Sequence, residues 1–194
     1  MGTINTTEKN LDIAGDSVGT VAAQPASGSF TVTRKYVAGF VYIDIVLTAA
    51  RIAVTDATSS GSFGSLKLMD LAEGGWHFIA SRQNYTAYAA DGTGVPDDTV
   101  FDIGVGTAAI AAAADGVLTG SATYDNIGAK VDQTLSGGTT TGTGYDAANA
   151  VVDGSTTPLD VVLNWSGTAA TVDGDGTIDV TGSITIVAAY LGDD

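Results

Sequence analysis

The chain contains no cysteine, which excludes disulfides, thiolate metal sites and cysteine nucleophiles together. Bases are almost as scarce past Gln83, where Lys130 stands against fifteen acidic side chains, every one of them Asp. Residues 1–82 hold the other six bases and seven acids, so −1 and −14 make up the net charge of −15. A charge of that sign repels phosphates and anionic headgroups, so neither nucleic acid nor a membrane is an expected partner. Aromatic residues reach 7%, with two Trp, and histidine occurs once, at His77. A start of Met1, polar residues and Glu8, without a basic and then apolar run, reads as lacking a secretion signal, hence synthesis in a cytoplasm. The most apolar stretch, Val37 to Val54, is interrupted by Asp44 and Arg51 and is too short for a membrane-spanning helix.

What the chain does have is glycine, 26 residues of it, and hydrophobic content of 44%. Asp and Gly are turn formers, the first through its short carboxylate and the second through access to positive φ. Between the turn signals lie strand-like runs: Ser29–Thr33, Phe40–Leu47, Arg51–Val54, Gly64–Leu71, Trp76–Ala80, Thr99–Gly106, Leu159–Trp165, Gly176–Val180 and Gly182–Leu191. Ala49-Ala50 reads as a bulge or bend between two of them. Glu73-Gly74-Gly75 predicts a hairpin between the fourth and fifth runs. A short helix is expected over Thr107–Ala114, and residues 134–157, nearly all small or acidic, read as one long loop. The expected architecture is all-β: a sandwich, most simply of jelly-roll type, with long Gly/Thr/Ala-rich loops. An extended N-terminal arm over 1–28 would precede a single domain over 29–194.

Asp173, Asp175 and Asp179 form the best metal candidate, because Asp alternating with Gly can curl oxygens round a calcium ion. The spacing lacks the downstream Glu of an EF-hand, and an Asp-Gly hairpin turn explains the same residues, so no metal or other cofactor is expected. His77 has no recognisable partner, and no Gly-x-Ser-x-Gly elbow occurs, so no catalytic residue is assigned and the chain is not read as an enzyme. Asp44, Asp70 and Asp102 interrupt apolar strands and are expected to mark their solvent faces. Arg34, Lys35, Arg51, Lys67 and Arg82 gather five of the seven bases in one near-neutral stretch, the candidate partner-docking set.

Two segments carry a resemblance. Gly64-Ser65-Leu66-Lys67-Leu68-Met69-Asp70-Leu71-Ala72-Glu73-Gly74 and Phe101-Asp102-Ile103-Gly104-Val105-Gly106-Thr107-Ala108 resemble segments of small structural proteins of tailed, especially marine, bacteriophages. The Ala-rich Ala111–Asp115 run and the final Val180–Ile186 strand are similar too. The resemblance implies a virion component, most simply a capsid decoration, cement or head-spike protein. It would act as a homo-oligomer, perhaps trimeric by analogy, against the major capsid protein or other virion proteins, with no catalytic residues. A jelly-roll shell protein is one alternative. A carbohydrate-binding module or adhesin is another, using exposed aromatics such as Trp76, Trp165 and the tyrosines, and an Asp-based glycoside hydrolase is the remotest.

Overall fold

The computed structural model describes residues 12–13, 16–57, 61–89, 94–96, 99–111, 118, 123–135, 139–146, 150–167 and 172–192. Among them strands dominate and no helix occurs. A minimal pair, β1 (Asp12–Ile13) and β2 (Asp16–Ser17), precedes the main body. One layer of that body runs in the order β4 (Ser29–Val37), β5 (Phe40–Asp56), β13 (Gly176–Gly192) and β7 (Gly74–Ala89). Both β10 (Thr139–Asp146) and β11 (Ala150–Gly154) lie on the far side of β7. The other layer runs β3 (Gly19–Val21), β6 (Ser62–Leu71), β12 (Asp160–Gly167), β8 (Val100–Gly106) and β9 (Gly128–Thr134). Every pairing is antiparallel.

The pairs nest: β5 with β13, β6 with β12, β7 with β10, and β8 with β9. Orders β5-β13-β7-β10 and β6-β12-β8-β9 are consistent with a long hairpin of eight strands rolled into two sheets, the arrangement of a jelly roll. The layers are also one curled sheet, because Thr55 and Asp56 at the end of β5 pair with Phe63 and Ser62 of β6.

A change of phase in β5 makes this joint work. Val41, Ile43, Ile45 and Leu47 point into the core, and then Ala50, Ile52 and Val54 do. Odd positions give way to even ones because Thr48 and Ala49 together oppose Thr181 of β13. Ala49 takes φ 46°, and its N–H donates to Thr181 Oγ1 at 2.9 Å. Gly28 lies against the bulge so closely that a Cβ there would sit 1.9 Å from the Ala49 carbonyl oxygen. The bend expected at Ala49-Ala50 is this bulge.

Between the layers, Trp76 and Trp165 are fully buried. Trp165 stacks on Phe101 with ring centroids 5.6 Å apart, and Trp76 packs on Tyr190 at 5.2 Å. Residues before β4 are tied to this body: Val18 is in the core, β3 pairs with Leu71–Met69 of β6, and the Gln24 side chain bonds the Phe30 backbone.

Several expectations need correction. β6 and β7 do not form a hairpin; they belong to opposite layers. Trp76 enters the core with its indole N–H on the Ala72 carbonyl at 2.9 Å, and Gly74, at φ 122°, turns the chain across where a Cβ would strike Tyr190 and Gly192. The long loop of residues 134–157 contains two strands, β10 and β11. Their small residues are required by contact: a Cβ on Gly142 would lie 2.7 Å from the Tyr85 ring and one on Gly144 2.7 Å from Val131. Thr107–Ala111 is not helical; its backbone is tied to neighbouring segments instead, the Thr107 N–H donating to the Thr123 carbonyl and Asn126 Oδ1 and the Ile110 N–H to Ser65 Oγ. Residues 112–114 of that expected helix fall outside the described residues.

The joint generates a test. A Cβ on Gly64 would sit 2.4 Å from the Ala53 carbonyl oxygen and 2.8 Å from Ile52 Cγ2, so Gly64→Ala must push the layers apart. The expected loss in urea denaturation is about 2–3 kcal/mol. Gly174→Ala, whose Cβ meets nothing within 4 Å, should stay within about 0.5 kcal/mol of the parent.

Candidate functional site

The five candidate docking bases do not share one surface. Arg34 is buried and donates from Nη1 to the Gly19 carbonyl, and burial pulls its pKa below the usual guanidinium value. Arg51 forms a two-pronged pair with Asp179, 2.7 Å from Nε and 2.8 Å from Nη2. Lys67 lies on the other layer, 2.5 Å from Asp70 and 3.0 Å from Asp160, and the Asp70 carboxylate first of all holds its pKa up. Only Lys35 and Arg82 join Arg51 on the outer face of the β4-β5-β13-β7 layer, and there Lys35 is 3.6 Å from Asp44.

The metal candidates are also parted. Asp179 is committed to Arg51, while Asp175 accepts the Asp56 N–H at 2.8 Å and the Asp173 N–H donates to the Gly94 carbonyl at 3.0 Å. Among the described residues no group of three or more His, Asp or Glu side chains is placed to hold a metal ion. Asp173–Gly176 is a turn but not a hairpin, since β12 and β13 pair with different partners.

Asp44, Asp70 and Asp102 all lie on outer faces, each beside a lysine. Asp102 is the most perturbed. It sits directly across from Asp132 in the β8–β9 ladder, with Lys130 2.9 Å from Asp102 and 2.5 Å from Asp132. Partial burial, with the facing Asp132, raises the Asp102 pKa, whereas its hydrogen bonds to Asp102 and Lys130 hold that of Asp132 down. One lysine thus shields two carboxylates, a structural arrangement.

A polar seam escaped sequence reasoning. Ser81, Gln83 and Tyr85 of β7 all point inward and are buried. Gln83 Nε2 donates to the Ala129 carbonyl at 2.9 Å, linking β7 to β9, while Ser81 Oγ, Gln83 Oε1 and Tyr85 OH have no hydrogen-bond partner among the described residues. Burial, then the charges of Asp102 and Asp132, drive the Tyr85 pKa well above the usual phenol value. Asn164 is the satisfied counterpart: it is buried, accepts from Ser65 Oγ at 2.6 Å and donates to the Ala108 and Tyr124 carbonyls. Asn164, Trp165 and Ser166 are therefore all core residues.

The surface that stands out is the outer face of the β4-β5-β13-β7-β11 layer. At one end its residues are Thr31, Val46, Ser183, Asn84 and Thr143, each the ladder partner of the next. At the other end Val37 pairs with Phe40 across the β4–β5 hairpin, and Ala189, His77 and Val151 continue the row. Val37, Phe40, Leu191 and Val151 are 38%, 41%, 54% and 65% exposed. Isolated exposed apolar residues mean little, but a row across several strands is a candidate contact surface. Lys35, Arg51 and Arg82 on this face balance Asp44, Asp153 and Asp179, so the face is near neutral on a molecule of −15. Of the expected sugar platforms, both tryptophans are fully buried, while Tyr42 lies with Phe40 on this face.

No protein-family model matches the chain, and no curated protein matches it in sequence. Among solved structures it is similar to one described as "CBM4 structure and function", with 12% identity over 83% of this chain and 94% of that one, at a TM-score of 0.36. It is also similar to the glycoside hydrolase domain of Endo-D from Streptococcus pneumoniae R6, with 13% identity, 81% of this chain and 18% of that one covered, and a TM-score of 0.27. The chain thus spans under a fifth of the second structure. Both superpositions are too loose to carry a function to this chain.

The Asp102 shift sets a pH test. A carboxyl whose folded pKa is raised adds stability when protonated and loses it as pH rises through the folded value. Asp102→Asn should therefore raise the melting temperature at pH 7, with the difference closing as pH falls below about 4, the unfolded carboxylate range. A variant less stable than the parent at pH 7 would show the Lys130 contact to dominate.

Proposed function

We propose that this protein is a structural component of a virion, a capsid decoration, cement or head-spike protein that attaches to the particle through the apolar end of its outer sheet face. The observation that supports the reading is the exposed row Val37, Phe40, Leu191 and Val151 on a face whose described charges balance. The apolar row would supply the desolvated centre of an interface. Elsewhere the acidic surface repels other copies and keeps particles apart. The occupant is the outer surface of the major capsid protein, in keeping with the phage resemblance of residues 64–74 and 101–108.

The test combines particle composition with a variant. Mass spectrometry of purified virions should find the chain, at hundreds of copies for decoration or about a dozen for a spike; absence from particles ends the proposal. The double variant Phe40→Asp/Val151→Asp changes only exposed positions. It should keep its fold and lose about tenfold or more in affinity for particles, as expected when central apolar contacts are replaced by charge.

A second reading rests on Phe40 and Tyr42, two positions apart on the same face of β5, beside the polar rows of Asp44, Thr185 and Arg82. Aromatic rings flanked by hydrogen-bonding side chains suit a sugar ring, so glycan-array binding abolished by Tyr42→Ala would favour a carbohydrate-binding module.

A further inference from the structure

Among the described residues β4 is the longest strand that pairs on one side alone, and its backbone shows which groups are open. Phe30 uses both its N–H and its carbonyl on Gln24: the N–H donates to Oε1 at 2.9 Å and Nε2 donates to the carbonyl at 3.2 Å. Those Phe30 groups therefore point away from β5. Alternation along an antiparallel ladder then assigns the odd residues of β4 to β5 and turns Val32, Arg34 and Tyr36 outward. The hairpin agrees, because a two-residue turn of Ala38 at φ 52° and Gly39 at φ 91° closes on Val37 and Phe40 as a hydrogen-bonded pair. Among the described residues nothing bonds the outward backbone groups of Val32, Arg34 or Tyr36.

Edge strands are commonly protected by charge, and β4 carries Arg34 and Lys35. Neither guards this edge. The Arg34 side chain is turned inward onto the Gly19 carbonyl, and Lys35 leans over its own sheet toward Asp44.

We propose that two copies of this chain pair through β4, antiparallel about a two-fold axis at Arg34, joining their outer layers into one continuous sheet. In that register Val32 of each copy faces Tyr36 of the other and Arg34 faces Arg34. All three open positions are used, and each pair exchanges two backbone hydrogen bonds. Gln24 blocks the edge at Phe30, so the pairing stops there. Lys35 of one copy comes opposite Thr33 of the other, whose own ladder partner is Asp44, so the Lys35–Asp44 pairs of the two copies lie side by side across the seam. The strand carries two bases and no acid, which makes it one of the few surfaces on which two molecules of −15 can approach. The pairing stands whether the sheet face meets a capsid or a glycan, and it is measured on purified protein without either.

Sedimentation equilibrium in moderate salt across a micromolar dilution series should show a dimer. Val32→Pro removes an N–H that faces away from β5, so the fold and its circular dichroism should persist while the protein becomes monomeric. Lys35→Asp leaves every backbone group in place and should weaken the dimer by about tenfold or more, since it sets acid against Asp44. A parent protein that stays monomeric throughout overturns the proposal. So does an assembly that survives Val32→Pro with its affinity unchanged.

Discussion

Everything in this fold depends on β5 changing phase halfway along its length. A strand of Phe40–Asp56 with strict alternation could line only one sheet. By admitting both Thr48 and Ala49 opposite Thr181, β5 keeps apolar residues inward through two segments and twists from one layer into the other. The hydroxyl of Thr181 takes the N–H that the bulge would otherwise leave unpaired, and Gly28 and Gly64 make room on either side. A slip of one residue here would send Arg51 into the core and Ile52 to solvent.

Much of the architecture was legible in the sequence, and the reason is visible in particular residues. Strands that bury large side chains on one face, such as Val41 to Leu47 and Ile184 to Ala188, announce themselves by period-two patterning. β10 does not, because Thr-Thr-Thr-Gly-Thr-Gly-Tyr-Asp has no apolar alternation; its glycines are small to admit Tyr85 and Val131, which come from other strands. The supposed β6–β7 hairpin failed for a related reason. Gly74 signals a sharp turn in either case, and only Trp76 and its contacts with Ala72 and Tyr190 decide that the chain crosses between layers.

The site was less legible than the fold. Sequence proximity gathered five bases that the ladder then distributes over an interior, an ion pair and two opposite faces. What the sequence could not display is the row formed by Val37, Phe40, Ala189, His77 and Val151, drawn from four separate segments and assembled only by register. Charge balance gives that row its meaning. On a molecule of −15 the acidic surface repels other acidic surfaces, and the proposed contacts lie where bases and acids cancel. The apolar row and the open edge of β4 meet at the same β4–β5 hairpin, so one end of one sheet carries both surfaces suited to association.

Residue-resolved amide hydrogen exchange would read that convergence strand by strand. In dilute solution the amides of Val32, Arg34 and Tyr36 should exchange quickly while those of Thr31, Thr33 and Lys35, bonded to β5, stay protected. On concentration, protection should rise at the first three and leave the acidic β8–β9 side unchanged. Uniform protection along β4 at every concentration, or new protection appearing first around Asp102 and Asp132, would rule out association at this end of the sheet.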